Sequence, residues 1–246
     1  MYDSPEKKYF GHVTDWVFDL DNTLYPRSVD LFSQIDKRMT AYVARLTGLE
    51  TGEARKLQKQ LYKTHGTTLA GLMDDYAIDP KHYLADVHDI DYSVIDPHPE
   101  LGEAILQLPG RKHIFTNGDL AHAENTLSAL GITGHFDAMF DIVCAGFEPK
   151  PLQIAYDRFF DSHGVNPEQS VMFEDLPRNL EVPKKVGMAT VLVVPANGSD
   201  HGSEAWETAG HDEPHIDHVT DDLAGFLEQI SAAFTGTMDG ESKNPA

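Results

Sequence analysis

VTDWVFDLDNT, residues 13–23, decides how the rest of the chain is read. Its first seven residues make a short apolar run rich in β-formers that ends on an acid, which predicts a buried strand. Asp21 follows Asp19 with one leucine between them, and the turn-like DNTLYP comes next. Two carboxylates this close repel each other and need a cation or a shared proton. A hard divalent ion accepts carboxylate and carbonyl oxygens, and Mg2+ also coordinates phosphate. A calcium-binding loop opens on the same D-x-D-x-T pattern, but with glycine at its sixth position and glutamate at its twelfth. Here those positions hold Leu24 and Asp30, and a strand precedes the motif in place of a helix. Two acids capping a turn is a third reading of this stretch taken alone.

Outward from it the pattern changes twice. Leu31, Ile35, Met39, Tyr42, Val43 and Leu46 recur at helical spacing and stop near Gly48, a fitting C-cap. Further helices are expected at about 51–64, 67–76 and 80–87. Beyond the proline-punctuated IDPHPEL (95–101), strands and helices alternate. The expected strands are 112–117, 140–144, 170–175 and 189–194. The expected helices are 99–108, 120–130, 151–162, 183–187 and 221–233. Alternation of this kind predicts an α/β fold with a doubly wound parallel sheet. The helical stretch 27–94 then reads as an inserted all-helical cap, with 1–26 and 95–235 as the core and 236–246 as a disordered tail.

Bulk properties narrow the function classes. The chain has 246 residues and a formal net charge of -21, which disfavours nucleic-acid backbones and anionic membranes as partners. No apolar run reaches the roughly 20 residues of a membrane-spanning helix. The N-terminal stretch lacks a signal-peptide core, and one cysteine precludes an internal disulfide, so a cytoplasmic setting is expected. Cys144 itself is expected to be a small buried apolar residue.

Three more stretches carry chemistry. In IFTNGD (114–119), Thr116 and Asn117 offer a hydroxyl and an amide at a strand-to-helix turn, which suits a phosphate. Lys150 lies between two prolines before a helix and could neutralise a phosphoryl group or Asp19. In MFEDLPRN (172–179), Glu174 and Asp175 put further carboxylates at a strand end. Ligand crevices in open parallel sheets lie at such carboxyl ends. His211, His215 and His218, in HDEPHIDH, are expected in a polar loop.

The set FDLDNT, FTNG, KP and FEDLPRN, in this order, resembles the haloacid dehalogenase-like phosphatases over roughly residues 13–233. That resemblance implies a Rossmann-like core with the superfamily's first (C1) type of cap. It implies Asp19 as nucleophile, Asp21 as general acid and base, and Thr116 and Lys150 holding the phosphoryl group. It also implies Mg2+ bound by Asp19, Asp175 and the backbone carbonyl of Asp21, with Glu174 orienting that shell. Dehalogenase members lack the second acid, so Asp21 argues against dehalogenation. VFDLDNTLYP, together with 62–83 and 173–193, is similar to a narrower branch, the pyrimidine 5′-nucleotidases, and implies a small phosphorylated metabolite, a nucleotide, as substrate. A phosphatase or phosphomutase for phosphoglycolate or a sugar phosphate is the alternative. Asn117 and Asn179 are expected to contact substrate beside the metal. Tyr62, His65 and Arg45 could reach a base or ribose, and Tyr25 and Arg27 could line the entrance.

Overall fold

The structure, a computed structural model, describes residues 9–196 and 213–235. Six parallel strands form one sheet in the order β3-β2-β1-β4-β5-β6. They are β1 (Asp15–Phe18), β2 (Arg111–Phe115), β3 (Ala138–Phe140), β4 (Ser170–Glu174), β5 (Ala189–Val193) and β6 (His218–Thr220). β1 is central: Asp15 is in register with both Arg111 on β2 and Ser170 on β4. The chain moves outward from β1 in one direction and then resumes beside it in the other. The switch point between β1 and β4 is where such sheets open a crevice.

Side chains of a strand alternate between faces, and β1 shows what each face meets. Trp16 and Phe18 enter a cluster with α5 (Pro99–Gln107), α6 (Leu120–Leu130) and α9 (Leu223–Thr235). Val17 points the other way, into a cluster with Phe115, Phe140 and the α7 residues (Gln153–His163) Ala155, Tyr156 and Phe159. Both faces are therefore covered, which is why β1, β4 and β5 are buried along their whole lengths.

Between β1 and β2 the chain makes only helices: α1 (Leu31–Thr47), α2 (Thr51–His65), α3 (Thr68–Tyr76) and α4 (Pro80–Val87). Their local signals are strong. Gly48 closes α1 in the left-handed conformation (φ 72°), and the Thr67 side chain caps α3. Pro80 opens α4, with the Asp79 side chain accepting from the Lys81 amide. The four helices bury a shared cluster that includes Ile35, Val43, Leu61, Leu72, Tyr83 and Val87. Gly71 lets α3 approach α2, because a Cβ there would meet Leu61 at 2.8 Å. Among the described residues no helix is long and apolar enough to cross a membrane.

Four expectations need correction. The strand expected at 140–144 is Ala138–Phe140, because Asp141 ends it and accepts from the Leu120 and Cys144 amides to build a turn. Cys144 lies on that turn and is exposed. The helix expected at 183–187 is α8 (Glu181–Lys185), since Pro183 fits anywhere in a first turn, where amides lack helical partners. The polar loop expected around the histidines is in part the edge strand β6, and His218 packs against Tyr9 and Phe10. His211 and the 236–246 tail lie outside the described residues.

Candidate active site

Asp19 follows the last residue of β1, and its amide donates to the Phe173 carbonyl of β4. It is 6% exposed. Its Oδ1 accepts from Lys150 Nζ at 2.7 Å and its Oδ2 from the Thr23 hydroxyl at 3.1 Å. Lys150, itself buried, also donates to Glu174 Oε1 and to the Phe115 carbonyl, each at 2.8 Å. The lysine thus links the ends of β1, β2 and β4. Without it, Asp19 and Glu174 would face each other unpaired, at a cost of about 3–5 kcal/mol for a broken buried pair.

Asp175 follows β4 and takes Arg27 Nη2 at 2.6 Å, with both side chains largely buried. One oxygen each of Asp19, Glu174 and Asp175 lie within 4.8 Å of one another. Burial pushes the Asp19 carboxyl well above its ordinary range; Lys150 opposes the shift, while the charges of Glu174 and Asp21 add to it. Burial and then Glu174 do the same to Asp175, against the pull of Arg27. Among the described residues these three carboxylates pair with two cations, Lys150 and Arg27, which leaves the cluster under-neutralised. Oxygen-only donors of this sort suit a hard divalent cation such as Mg2+ better than a soft metal.

Asp21 stands in different company. Its Oδ1 accepts from both His122 Nε2 (2.8 Å) and the Tyr25 hydroxyl (2.5 Å). Burial alone would raise this carboxyl, but the His122 charge and hydrogen bond, aided by Tyr25, bring it down to about 2. Tyr25, expected at the entrance, is instead 2% exposed.

Thr116 follows β2, and its hydroxyl oxygen accepts the Gly118 amide at 2.9 Å. The two asparagines hold neighbours. Asn117 donates Nδ2 to the Lys150 carbonyl (3.1 Å) and accepts the Lys150 amide on Oδ1 (2.8 Å), a two-point clamp on the lysine's backbone. Asn179 donates to Glu174 Oε1 at 2.6 Å and is 2% exposed. Asp19 with Asp21, Thr116, Lys150 and Asp175, which come from four separate places in the sequence, thus gather at one end of the sheet.

The residues expected to reach a base are spread more widely. Tyr62 lies under the Arg178 guanidinium at 4.8 Å, so it faces the loop after β4. The His65 ring hydrogen-bonds within α2, to Thr64 and the Leu61 carbonyl. Arg45 pairs with Asp86 on the outer side of the helices, at 2.5 Å and more than half exposed. Sequence reading missed His122, Thr23, and the His88 and Tyr92 that stand behind His122. Spacing held one usable signal: His122 is three residues after Asp119, the N-cap of α6, on the first turn facing the Asp19 loop.

Known proteins resemble this chain in sequence and in fold. Phosphate metabolism protein 8 of Saccharomyces cerevisiae is 28% identical over 134 residues, which is 50% of this chain and 41% of the yeast protein. CbbY from Rhodobacter sphaeroides, solved in complex with phosphate, matches over 86% of this chain and 95% of its own, with a TM-score of 0.59 at 16% identity. L-2-haloacid dehalogenase from Xanthobacter autotrophicus, with chloropropionic acid covalently bound, matches over 89% and 98%, with a TM-score of 0.53 at 15% identity. At such identities the two structures attest the fold alone. The sequence model of the haloacid dehalogenase-like hydrolases matches residues 17–187, well over half of the chain, and the chain belongs to that family.

Proposed function

We propose that this chain is a phosphohydrolase in which Asp19 is the nucleophile and Asp21 the general acid and base. The observation that carries the reading is the contrast at the sheet's switch point. One carboxylate sits between a buried lysine and two further acids, and a second, two residues on, is held through one oxygen by an imidazole and a phenol. Haloacid chemistry needs no second acid, whereas phosphate-ester chemistry uses one to protonate the leaving oxygen.

An Asp19 oxygen attacks phosphorus as the bond to the ester oxygen breaks, which leaves an aspartyl-phosphate on Asp19. Lys150 Nζ and the Thr116 hydroxyl hold the transferring phosphoryl group and offset its charge. Asp21 gives its proton to the leaving oxygen. It then takes a proton from the water that attacks the aspartyl-phosphate, releasing inorganic phosphate and restoring Asp19. A phosphoryl group arriving beside Asp21 raises its low pKa by like-charge repulsion, which favours the protonated form the first step requires. Asp19, Asp175 and the Asp21 main-chain carbonyl would hold Mg2+, with Glu174 beside them, and the ion would supply charge neutralisation for phosphoryl transfer. Asn117 and Asn179 serve this reading by holding Lys150 and Glu174 in place.

The four helices of 27–94 form, on this reading, a cap over the crevice that selects the leaving group. A nucleoside 5′-monophosphate, a pyrimidine one in particular, is the favoured substrate. It is supported by the similarity of VFDLDNTLYP and of 62–83 to the pyrimidine 5′-nucleotidases, and by Tyr62 facing the loop after β4. A panel of nucleoside monophosphates, sugar phosphates and phosphoglycolate, assayed with Mg2+, tests both levels. UMP and CMP should be turned over with the highest kcat/KM. Preference for a sugar phosphate or phosphoglycolate sinks the nucleotidase reading, and no turnover of any ester sinks the phosphohydrolase reading.

A further inference from the structure

Asp21 accepts two hydrogen bonds, and both fall on the same oxygen, Oδ1. Among the described residues its Oδ2 accepts none. An ionised carboxylate only accepts, so Nε2 of His122 must carry the proton in that bond. The His122 ring is itself fixed on three sides and is wholly buried. The Tyr92 hydroxyl lies 3.0 Å from its Nδ1, and the His88 ring stacks on it at 4.4 Å and 13°. Gly118 passes so close that a Cβ there would come within 2.9 Å of His122 Cδ2. Neither buttressing side chain belongs to the sheet. His88 ends α4 and Tyr92 lies in the linker that returns to α5, while His88 Nδ1 reaches across to the Asp119 cap of α6 at 3.1 Å.

We propose that His122 is a positioning residue that, together with Tyr25, holds Asp21 by Oδ1 and so presents Oδ2 to the leaving group. The inference deepens the proposed acid–base role of Asp21 and rests on it. A carboxylate on a strand-end loop can turn about two side-chain bonds. Two donors on one oxygen remove that freedom, so the proton travels to and from a single, open oxygen. Through Tyr92 and His88 the same ring also ties the orientation of Asp21 to the end of the helical block.

The test compares two leaving groups. An alkyl phosphate expels a strongly basic alkoxide and needs the proton from Asp21, whereas p-nitrophenyl phosphate expels a stable phenolate and needs it little. In H122L, kcat/KM should fall roughly 10- to 100-fold for the alkyl ester but less than about threefold for the aryl ester. H122Q, whose amide can still donate to Oδ1, should recover most of the loss. In a D21N background, H122L should cost nothing further. Equal losses on both esters, no recovery in H122Q, or losses that multiply with D21N would overturn the proposal. A crystal structure of metal-free H122L supplies a readout independent of turnover. Asp21 should be rotated there, and an unmoved carboxylate also refutes the idea. A wild-type protein inactive on both esters counts against the phosphohydrolase reading, while that structure still decides whether His122 orients Asp21.

Discussion

Asp19 and Asp21 are the same residue type on one short loop, yet the two sides of that loop treat them in opposite ways. The end of β4 gives Asp19 two more acids and the segment after β3 gives it a lysine, and burial drives its proton affinity up. α6 gives Asp21 an imidazole and its own loop gives it the Tyr25 phenol, and its pKa falls to about 2. The difference teaches that the division of labour comes from what each strand end delivers, since the acids are alike. A carboxylate that is pushed up yet crowded by other acids calls for a cation. One that is pulled down by hydrogen-bond donors is held in a fixed pose.

The largest effect should come from breaking the first side. Asp19→Asn removes the proposed nucleophile, and turnover of any phosphate ester should fall by roughly 10⁴-fold or more while the thermal transition stays cooperative. A variant that retains activity ends the assignment. Lys150→Met should follow closely, because it leaves Asp19 and Glu174 buried without their shared cation. Urea denaturation at neutral pH should show a loss of about 3–5 kcal/mol, and an unchanged midpoint would mean that the ion pairs contribute no net stability.

The pH dependence of stability sharpens the contrast further. Asp21, with a folded pKa of about 2, contributes stability that is present above its unfolded value of about 3.9 and is lost as pH falls from there toward 2. Asp175 runs the other way, with a folded value above the unfolded one. In the metal-free protein its ionisation costs stability as pH rises from about 4 through that raised value. The Tm gain on adding Mg2+ should therefore grow as pH rises from 5 to 8, and a gain that is flat with pH would contradict the under-neutralised cluster. The smallest effect belongs far from either side. Arg45→Ala breaks an exposed pair with Asp86 and should change stability by less than about 1 kcal/mol with KM intact. A large rise in KM would return Arg45 to the substrate.

Much of this was legible in the sequence where one local rule governs. The helices of 31–87 carry their own caps at Gly48, Thr67 and Asp79, so local pattern and punctuation placed them. The strand ends at Asp19, Thr116 and Asp175 were readable because each apolar run stops on a polar residue. What escaped needs three dimensions. β6 is short and its outer face is wet, so no apolar run marks it. Asp141 ends β3 through bonds to amides on two different segments, one of them distant in sequence. His122 sits inside an ordinary helix pattern, and only folding shows that its ring faces Asp21. Asn117 and Asn179 carry side chains fit for a ligand, but their spacing could not reveal that Lys150 and Glu174 take those amides.

The position of β1 has a kinetic consequence. Both of its neighbours lie far along the chain: β2 follows only after the whole helical block, and β4 later still. Such non-local pairing forms slowly, whereas α1 to α4 make contacts among close neighbours and can form early. Asp19 sits just past the end of this late strand and obtains its lysine from the segment after β3 and its fellow acids from the end of β4. A ribosome must therefore release residues 150–175 before the lysine and the two other acids can reach Asp19.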